Sequence, residues 1–199
     1  YLGEDDYQRV TGESEPWQPS TADLAIRQDT GSYRVLNLSV NTFNDASTSY
    51  FHQSIGGYHG AKMKRYQELI ENSITNEIGA IRGAMSTQGP EMMQVLTGQP
   101  VLNMLNAKYI IYNKDAPPFT NFGALGNAWF VPSYRIVPNS DSEIVAVSAF
   151  NPTEQLIVDR RYEDQLKGYS FQPDSTATIR LSSYRPNHLV YDYTSSAQR

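Results

Sequence analysis

Residues 99–113, QPVLNMLNAKYIIYN, carry a helical turn or two directly into a short apolar strand. Val101, Leu102 and Leu105 recur at helical spacing with Met104 beside them, and the period is then lost in Tyr109-Ile110-Ile111-Tyr112. Successive strand residues point to opposite faces, so a strand apolar on both sides belongs in the middle of a sheet that is covered on both sides. The stretch predicts an α/β or α+β fold, with a mixed central sheet covered by helices.

The flanking sequence supplies that cover. Tyr66, Leu69, Ile70, Ile74, Ile78 and Ile81 fall three and four apart, the stripe of an amphipathic helix that begins near Ala61. Lys62, Lys64, Arg65, Glu68, Glu71 and Glu77 occupy its wetter side. Pro90 suits the first position of a further helix. Upstream, Thr21 offers a cap for a short turn, Asp29-Thr30-Gly31-Ser32 is a turn signal, and Tyr33 to Val40 alternate as a strand. Residues 41–60, NTFNDASTSYFHQSIGGYHG, have the composition of a long ordered loop, because Phe43, Tyr50, Phe51 and Tyr58 need somewhere to pack.

Downstream, Pro117-Pro118 mark a loop over 116–126, and 128–137 predict one or two short strands divided near Pro132. Ser140-Asp141-Ser142-Glu143 has the form of a capping box with Ser140 as N-cap, followed by a helix to about Ser148. Leu156-Ile157-Val158 is a compact strand. After Pro173 the texture changes. Residues 176–181 and 189–193 alternate around the turn Arg185-Pro186-Asn187-His188, predicting a C-terminal β-hairpin with one wet face. The hairpin reads as the start of a β-rich module, since a lone hairpin leaves exposed edges. The expected organisation is therefore an extended arm or linker over 1–22, pinned by Trp17, then a mixed α/β domain over 23–172 and the hairpin over 173–199. The start at Tyr1 and the unclosed hairpin together predict a trimmed or processed part of a longer protein.

Composition narrows the function classes. Of the 199 residues 39% are apolar, and 14 Tyr and 7 Phe suffice to build folded interiors. The net charge of −5, from 16 basic against 21 acidic residues without a basic run, argues against a nucleic-acid surface. The absence of cysteine excludes disulfides and thiolate sites. No run reaches the roughly 18 apolar residues that a membrane-crossing helix needs.

Four segments together, SYRVLNLSVNTFNDASTSYFHQSIGGYHGAKMKRYQELIE, VLNMLNAKYIIYN, GNAWFVPSYRIV and LSSYRPNHLVYDY, resemble one family in order over roughly residues 20–195. It is the bacterial YfhO-like membrane proteins in the form found among Bacteroidetes, polytopic proteins related to GT-C glycosyltransferases that use lipid-linked sugar donors. The resemblance implies that this chain is the extracytoplasmic, periplasmic portion of such a protein, attached to the inner membrane through the membrane-embedded part of the same polypeptide. The acidic residues of GT-C chemistry lie near the first membrane helices, and no residue here corresponds to them. The chain itself is expected to be non-catalytic and to need no cofactor.

His52, Gly56, Gly57, Tyr58, His59 and Lys62 form the densest candidate ligand-binding cluster. Glycines beside histidines, a tyrosine and a lysine at a helix start suit a phosphate or sugar hydroxyls. The plainer alternative is a tight turn with packed aromatics and locally bonded histidines, and the glycines do not match a P-loop. Asp45 could place a carboxylate over the same cleft or organise the loop through an Asx-turn. Lys108 stands at a mouth of the central strand, where ligands often meet parallel sheets. Trp129 and Tyr134 could stack on sugars or pack in the core. Asn103 and Asn106, flanking the helix-to-strand passage, suit capping of main-chain groups. His52, His59 and His188 do not have the spacing of a zinc site, and no Gly-x-Ser-x-Gly elbow occurs.

Two readings follow. One is a non-catalytic domain that positions a glycan or lipid-linked sugar. The other is a structural or partner-binding module without a ligand site. An independent hydrolase or metal enzyme is the least supported alternative.

Overall fold

The computed structural model describes residues 17–85, 90–169 and 171–196. Most of the expected arm, residues 1–16, lies outside the described residues. Strand β1 (Arg34–Asn37) lies parallel to β2 (Ala107–Ile111), and β3 (Phe119–Thr120) pairs antiparallel with β2 on its other side. The strand expected at the centre of the sheet is thus the middle of three, and the fold is mixed α/β as the sequence predicts. Adjacent residues serve two cores. Val35 and Ile111 pack with Ala22 and Ile26 of α1 (Thr21–Ile26), while Leu36 and Ile110 pack with Ile70, Ile74, Ile78, Ile81 and Leu102 on the opposite face. Each fully buried Val, Leu or Ile among them contributes about 1.5–3 kcal/mol of transfer free energy.

The long helix is α3 (Lys64–Leu69), a π-helical turn (Ile70–Ile74) and α4 (Thr75–Ala84). It starts three residues later than the apolar stripe suggests, and Thr75 Oγ1 donates to the Ile70 carbonyl at 2.8 Å within the widened turn. Glu77 is not on a wet face. It is buried, and its two carboxylate oxygens accept the Val101 and Leu102 N–H groups at 2.8 and 2.9 Å. Those amides begin α6 (Pro100–Met104), the helical turn before β2, which follows α5 (Pro90–Thr97). Asn106 (φ 57°) takes the left-handed conformation that turns α6 into β2, and its side chain donates to the Ser32 carbonyl at 2.9 Å.

Three local expectations need correction. The loop over 41–60 contains a short helix, α2 (Ser47–Phe51). The cap of α1 is Ser20, not Thr21, with Asp23 completing a reciprocal box. The N-cap of α7 (Ser140–Val147) is Asn139, whose Oδ1 accepts the Ser142 N–H at 2.9 Å. Asn139 has extended backbone, as a cap requires, whereas Ser140 is already helical. Helix α7 connects the parallel strands β4 (Tyr134–Val137) and β5 (Leu156–Asp159) around a small core of Val137, Ala146 and Ile157.

Strands β6 (Thr178–Arg185) and β7 (His188–Thr194) form the antiparallel hairpin. A register shift between Leu181 and Ser183 sets Ile179, Leu181 and Tyr184 opposite Tyr193, Tyr191 and Leu189. Tyr184 and Tyr193 are 53% and 65% exposed, so the face expected to be dry is open to solvent as well.

Candidate functional site

A cleft of about 820 Å³ opens at the carboxyl ends of β1 and β2. Its floor is Asn37, the last residue of β1, and the chain leaving β2 at Tyr112 and Asn113. Parallel strands whose connections leave in different directions produce a crevice at this end, and ligands of open α/β sheets bind there. One wall is the start of α1, with Ser20 and Asp23, together with Trp17 and Gln18 before it. The facing wall is Asp45 with Ser47, Thr48 and Phe51 of α2, and residues 114–115 close the rim.

The sequence builds these walls through local hydrogen bonds. Asn37 Nδ2 donates to Thr48 Oγ1 at 3.0 Å, while its Oδ1 accepts the Ser39 N–H at 2.9 Å and holds the chain as it turns out of β1. Asp45 Oδ1 accepts the Ser47 N–H at 2.8 Å and the Ser47 hydroxyl, an Asx-turn that starts α2. The Ala22 N–H donates to the Lys114 carbonyl at 3.1 Å, which joins α1 to the segment after β2. Behind the two walls, His52 Nε2 meets Asp23 Oδ1 at 2.8 Å, with both side chains almost fully buried. This contact ties the end of α2 to α1.

The electrostatics are negative. Among the described residues three carboxylates line the cleft, Asp23, Asp45 and Asp115, against one ammonium, Lys114. The Lys114 Nζ is itself paired with Asp115 Oδ1 at 2.9 Å. Burial pushes the Asp23 carboxyl up, but the Ser20 hydroxyl and N–H and the His52 ring outweigh it and hold the group below its ordinary value. Asp45 Oδ2 accepts no hydrogen bond among the described residues. Trp17, Phe51 and Tyr112 add ring surface, so flat apolar faces stand beside convergent polar groups. That combination is what small-molecule sites of about 300–1,000 Å³ use.

The candidates named from sequence disperse. Asp45 lies in the cleft wall. His52 turns away from solvent onto Asp23. Gly56 sits where a Cβ would fall 1.7 Å from the Thr42 carbonyl oxygen, and Gly57 has φ 125°, so this pair permits a close main-chain approach and a left-handed turn. Tyr58 is 68% exposed, His59 Nδ1 accepts the Ala61 N–H at 3.1 Å, and Lys62 Nζ lies 5.4 Å from the Phe43 ring centroid. Lys108 stands near the amino end of β2, away from the cleft. It pairs with Asp29, over the rings of Tyr33 and Tyr109.

Asn103 and Asn106 both serve the main chain, Asn103 Nδ2 donating to the Thr97 carbonyl at 2.7 Å. Trp129 Nε1 donates to the Pro152 carbonyl at 2.7 Å, and the Tyr134 ring packs 4.6 Å from Phe171.

Ser20, Asp23, Asn37, Thr48 and Asn113 are cleft residues that pattern reading misses. Asn37 and Asn113 carry a signal, since Asn37 ends β1 and Asn113 follows the apolar run of β2. Nothing local marks Ser20 and Asp23 as more than a helix cap. Among the described residues no group of three or more His, Cys, Asp or Glu is placed to hold a metal ion, and no helix is long and apolar enough to cross a membrane. Comparison with protein families, with curated proteins and with solved structures finds no match for this chain.

Proposed function

We propose that this chain is a non-catalytic glycan-binding domain and the extracytoplasmic part of a YfhO-like, GT-C-related membrane protein, where it positions a glycan or lipid-linked sugar for the membrane-embedded portion. The observation that carries the binding reading is the cleft at the carboxyl ends of β1 and β2, where ring faces stand beside carboxylate and amide groups. Sugars present the complementary surface, apolar C–H faces edged by hydroxyls that donate to carboxylates and exchange hydrogen bonds with amides. A binding role rather than a catalytic one is supported by how the acids are used. Asp23 is engaged by Ser20 and His52, and Asp45 by Ser47, so each has a fixed structural duty.

The binding test is a printed glycan array probed with the 199-residue chain, followed by titration of any retained glycan. Trp17→Ala is expected to weaken that binding by about tenfold, the loss typical of one ring contact in a small-molecule site, with little change in Tm. An array on which nothing is retained removes the binding reading. The membrane assignment has its own test, the intact mass and detergent dependence of the native protein in its cell. A membrane-held product several times larger than 22.4 kDa supports it, and a soluble product near this mass overturns it.

A second reading, a structural or partner-binding module, is favoured by one specific observation. His52 meets Asp23, Gly56 and Gly57 serve the main-chain path, Lys62 lies over the Phe43 ring, and none of the four lines the cleft. Its expected result is an empty array together with a co-purifying membrane partner.

A further inference from the structure

We infer that the cleft discriminates by charge: it takes an uncharged saccharide and turns away one that carries phosphate, sulfate or carboxylate. This inference rests on the glycan-binding reading and specifies the ligand class for the same site. In a lipid-linked sugar, it would be the sugar and not the pyrophosphate that enters.

Helix starts are the usual places where a protein receives an anion. Two short helices begin at this cleft, and the chain fills both beginnings with its own carboxylates. Asp45 accepts the Ser47 N–H at the head of α2. Asp23 accepts the Ser20 N–H at 2.8 Å and the Ser20 hydroxyl at 2.6 Å at the head of α1. A phosphate arriving there would find those donors taken and carboxylates in the place it needs. Among the described residues the single ammonium at the rim is Lys114, and it is already paired with Asp115.

An anionic ligand would therefore add negative charge to a wall of three carboxylates and one compensated lysine. Like charges brought together in a partly desolvated contact repel strongly. A neutral sugar meets none of this. Its hydroxyl groups donate, and Asp45 Oδ2 and the second oxygen of Asp115 accept without first giving up a partner among the described residues.

The experiment compares matched neutral and anionic forms of one glycan. The array carries each printed saccharide unmodified and as its phosphorylated, sulfated or sialylated counterpart, at low ionic strength where the field is least screened. Retention of neutral forms with anionic counterparts at least about tenfold weaker is expected from like-charge repulsion.

The variant D45N/D115N then reduces that neutral-to-anionic preference by about tenfold as the repelling charges are removed. Asn keeps the oxygen that accepts the Ser47 N–H, so the α2 turn survives, and an unchanged melting curve verifies it. If anionic glycans are retained as well as neutral ones, the charge inference fails while the binding reading stands. If the preference persists unchanged in D45N/D115N, the carboxylates are not its source and the inference likewise fails. If the array retains nothing in either form, the binding reading fails and takes this inference with it.

Discussion

Two parallel strand pairs in this chain end differently. At the carboxyl end of β1 and β2, Asn37 and residues 112–115 separate around the open cleft. At the corresponding end of β4 and β5, the last residue of β5 is Asp159, whose side chain bridges to the start of α7. Its carboxylate accepts the Arg161 N–H at 3.0 Å, meets the Arg161 guanidinium at 2.8 Å and lies 3.3 Å from Ser140 Oγ. The Arg161 guanidinium also donates to Ser140 Oγ at 2.5 Å, which closes the triangle between β5 and α7. The depression of about 470 Å³ nearby runs along β4 and α7, with no β5 residue in its wall.

Topology therefore provides a crevice twice, and the side chain at the strand end settles whether it stays open. The Asn37 amide reaches Thr48 on the α2 wall and its near neighbour Ser39, and the strand ends beside it stay apart. A carboxylate at Asp159 gathers an arginine and a helix start across the gap. The two pairs also differ in depth. The first is buried on both faces by α1 and the long helix, and the second has one small core against α7.

The sharpest way to break this comparison is to disrupt each core in turn, the larger with a charge and the smaller with a cavity. Ile110→Asp should abolish cooperative melting of the whole chain, because an unpaired carboxylate would enter the larger core. Ile157→Ala should cost about 2–4 kcal/mol and leave the far-ultraviolet circular dichroism native. Equal collapse in both variants would show that the two units share one stability and are not distinct.

The opposite, amino end of the first pair offers a smaller effect with a pH signature. Lys108 beside Asp29, together with the Gly31 N–H, holds that carboxyl well below its ordinary range, at about 2. The unfolded chain takes up this proton first as the pH falls, so the stabilisation is complete above about pH 4 and is lost between there and pH 2. Asp29→Asn should lower stability by about 1–2 kcal/mol at neutral pH, from the weakened bonds to Lys108 and Tyr109. It should also flatten the acid limb of the stability profile. Burial and the bond to Asp29 push the Tyr109 hydroxyl up to about 12. Its contribution is present below the ordinary tyrosine range and is lost as pH rises through that value. An acid limb of equal slope in both proteins would remove Asp29 from this account.

The mildest intervention addresses the closed strand ends. Asp159→Ala should free Arg161 and Ser140, lower Tm by a few degrees, and speed amide hydrogen exchange in β4 and β5 while β1 and β2 keep their protection. Protection lost equally from both pairs would mean that Asp159 does more than hold its own crevice shut.

Much of the frame was legible because it depends on pattern. The apolar run Tyr109-Ile110-Ile111-Tyr112 predicts a strand covered on both faces, and the isoleucine stripe predicts the helix that covers one of them. Glu77 carries a charge that suggests the wet side, yet its spacing, three residues after Ile74 and four before Ile81, sets it within the apolar stripe, where the amides of Val101 and Leu102 meet it. The period marks the face, but a partner twenty-four residues distant in sequence leaves no local trace of what will satisfy the buried carboxylate. Helix α2 was hidden for another reason. Its residues, Ser47 to Phe51, have weak helical propensity, and the turn depends on Asp45 and on packing of the rings around it.

The candidate site was less legible still. Gly56 and Gly57 drew attention as glycines, and the need for them is the close approach of the Thr42 carbonyl and a left-handed backbone. Asp23 and His52 are twenty-nine residues apart and meet only once α1 and α2 are brought together.

By itself, the sequence determined what depends on period, composition and near neighbours: a covered central strand, an amphipathic helix, a C-terminal hairpin, and a negatively charged chain without thiols. Only the tertiary structure decided which strand ends would part and which side chains would face one another across the gap. Hydrophobic periodicity acts within a few residues and survives in any one-dimensional reading. A cleft is made by groups from separate segments, and its shape and charge exist only after those segments have packed.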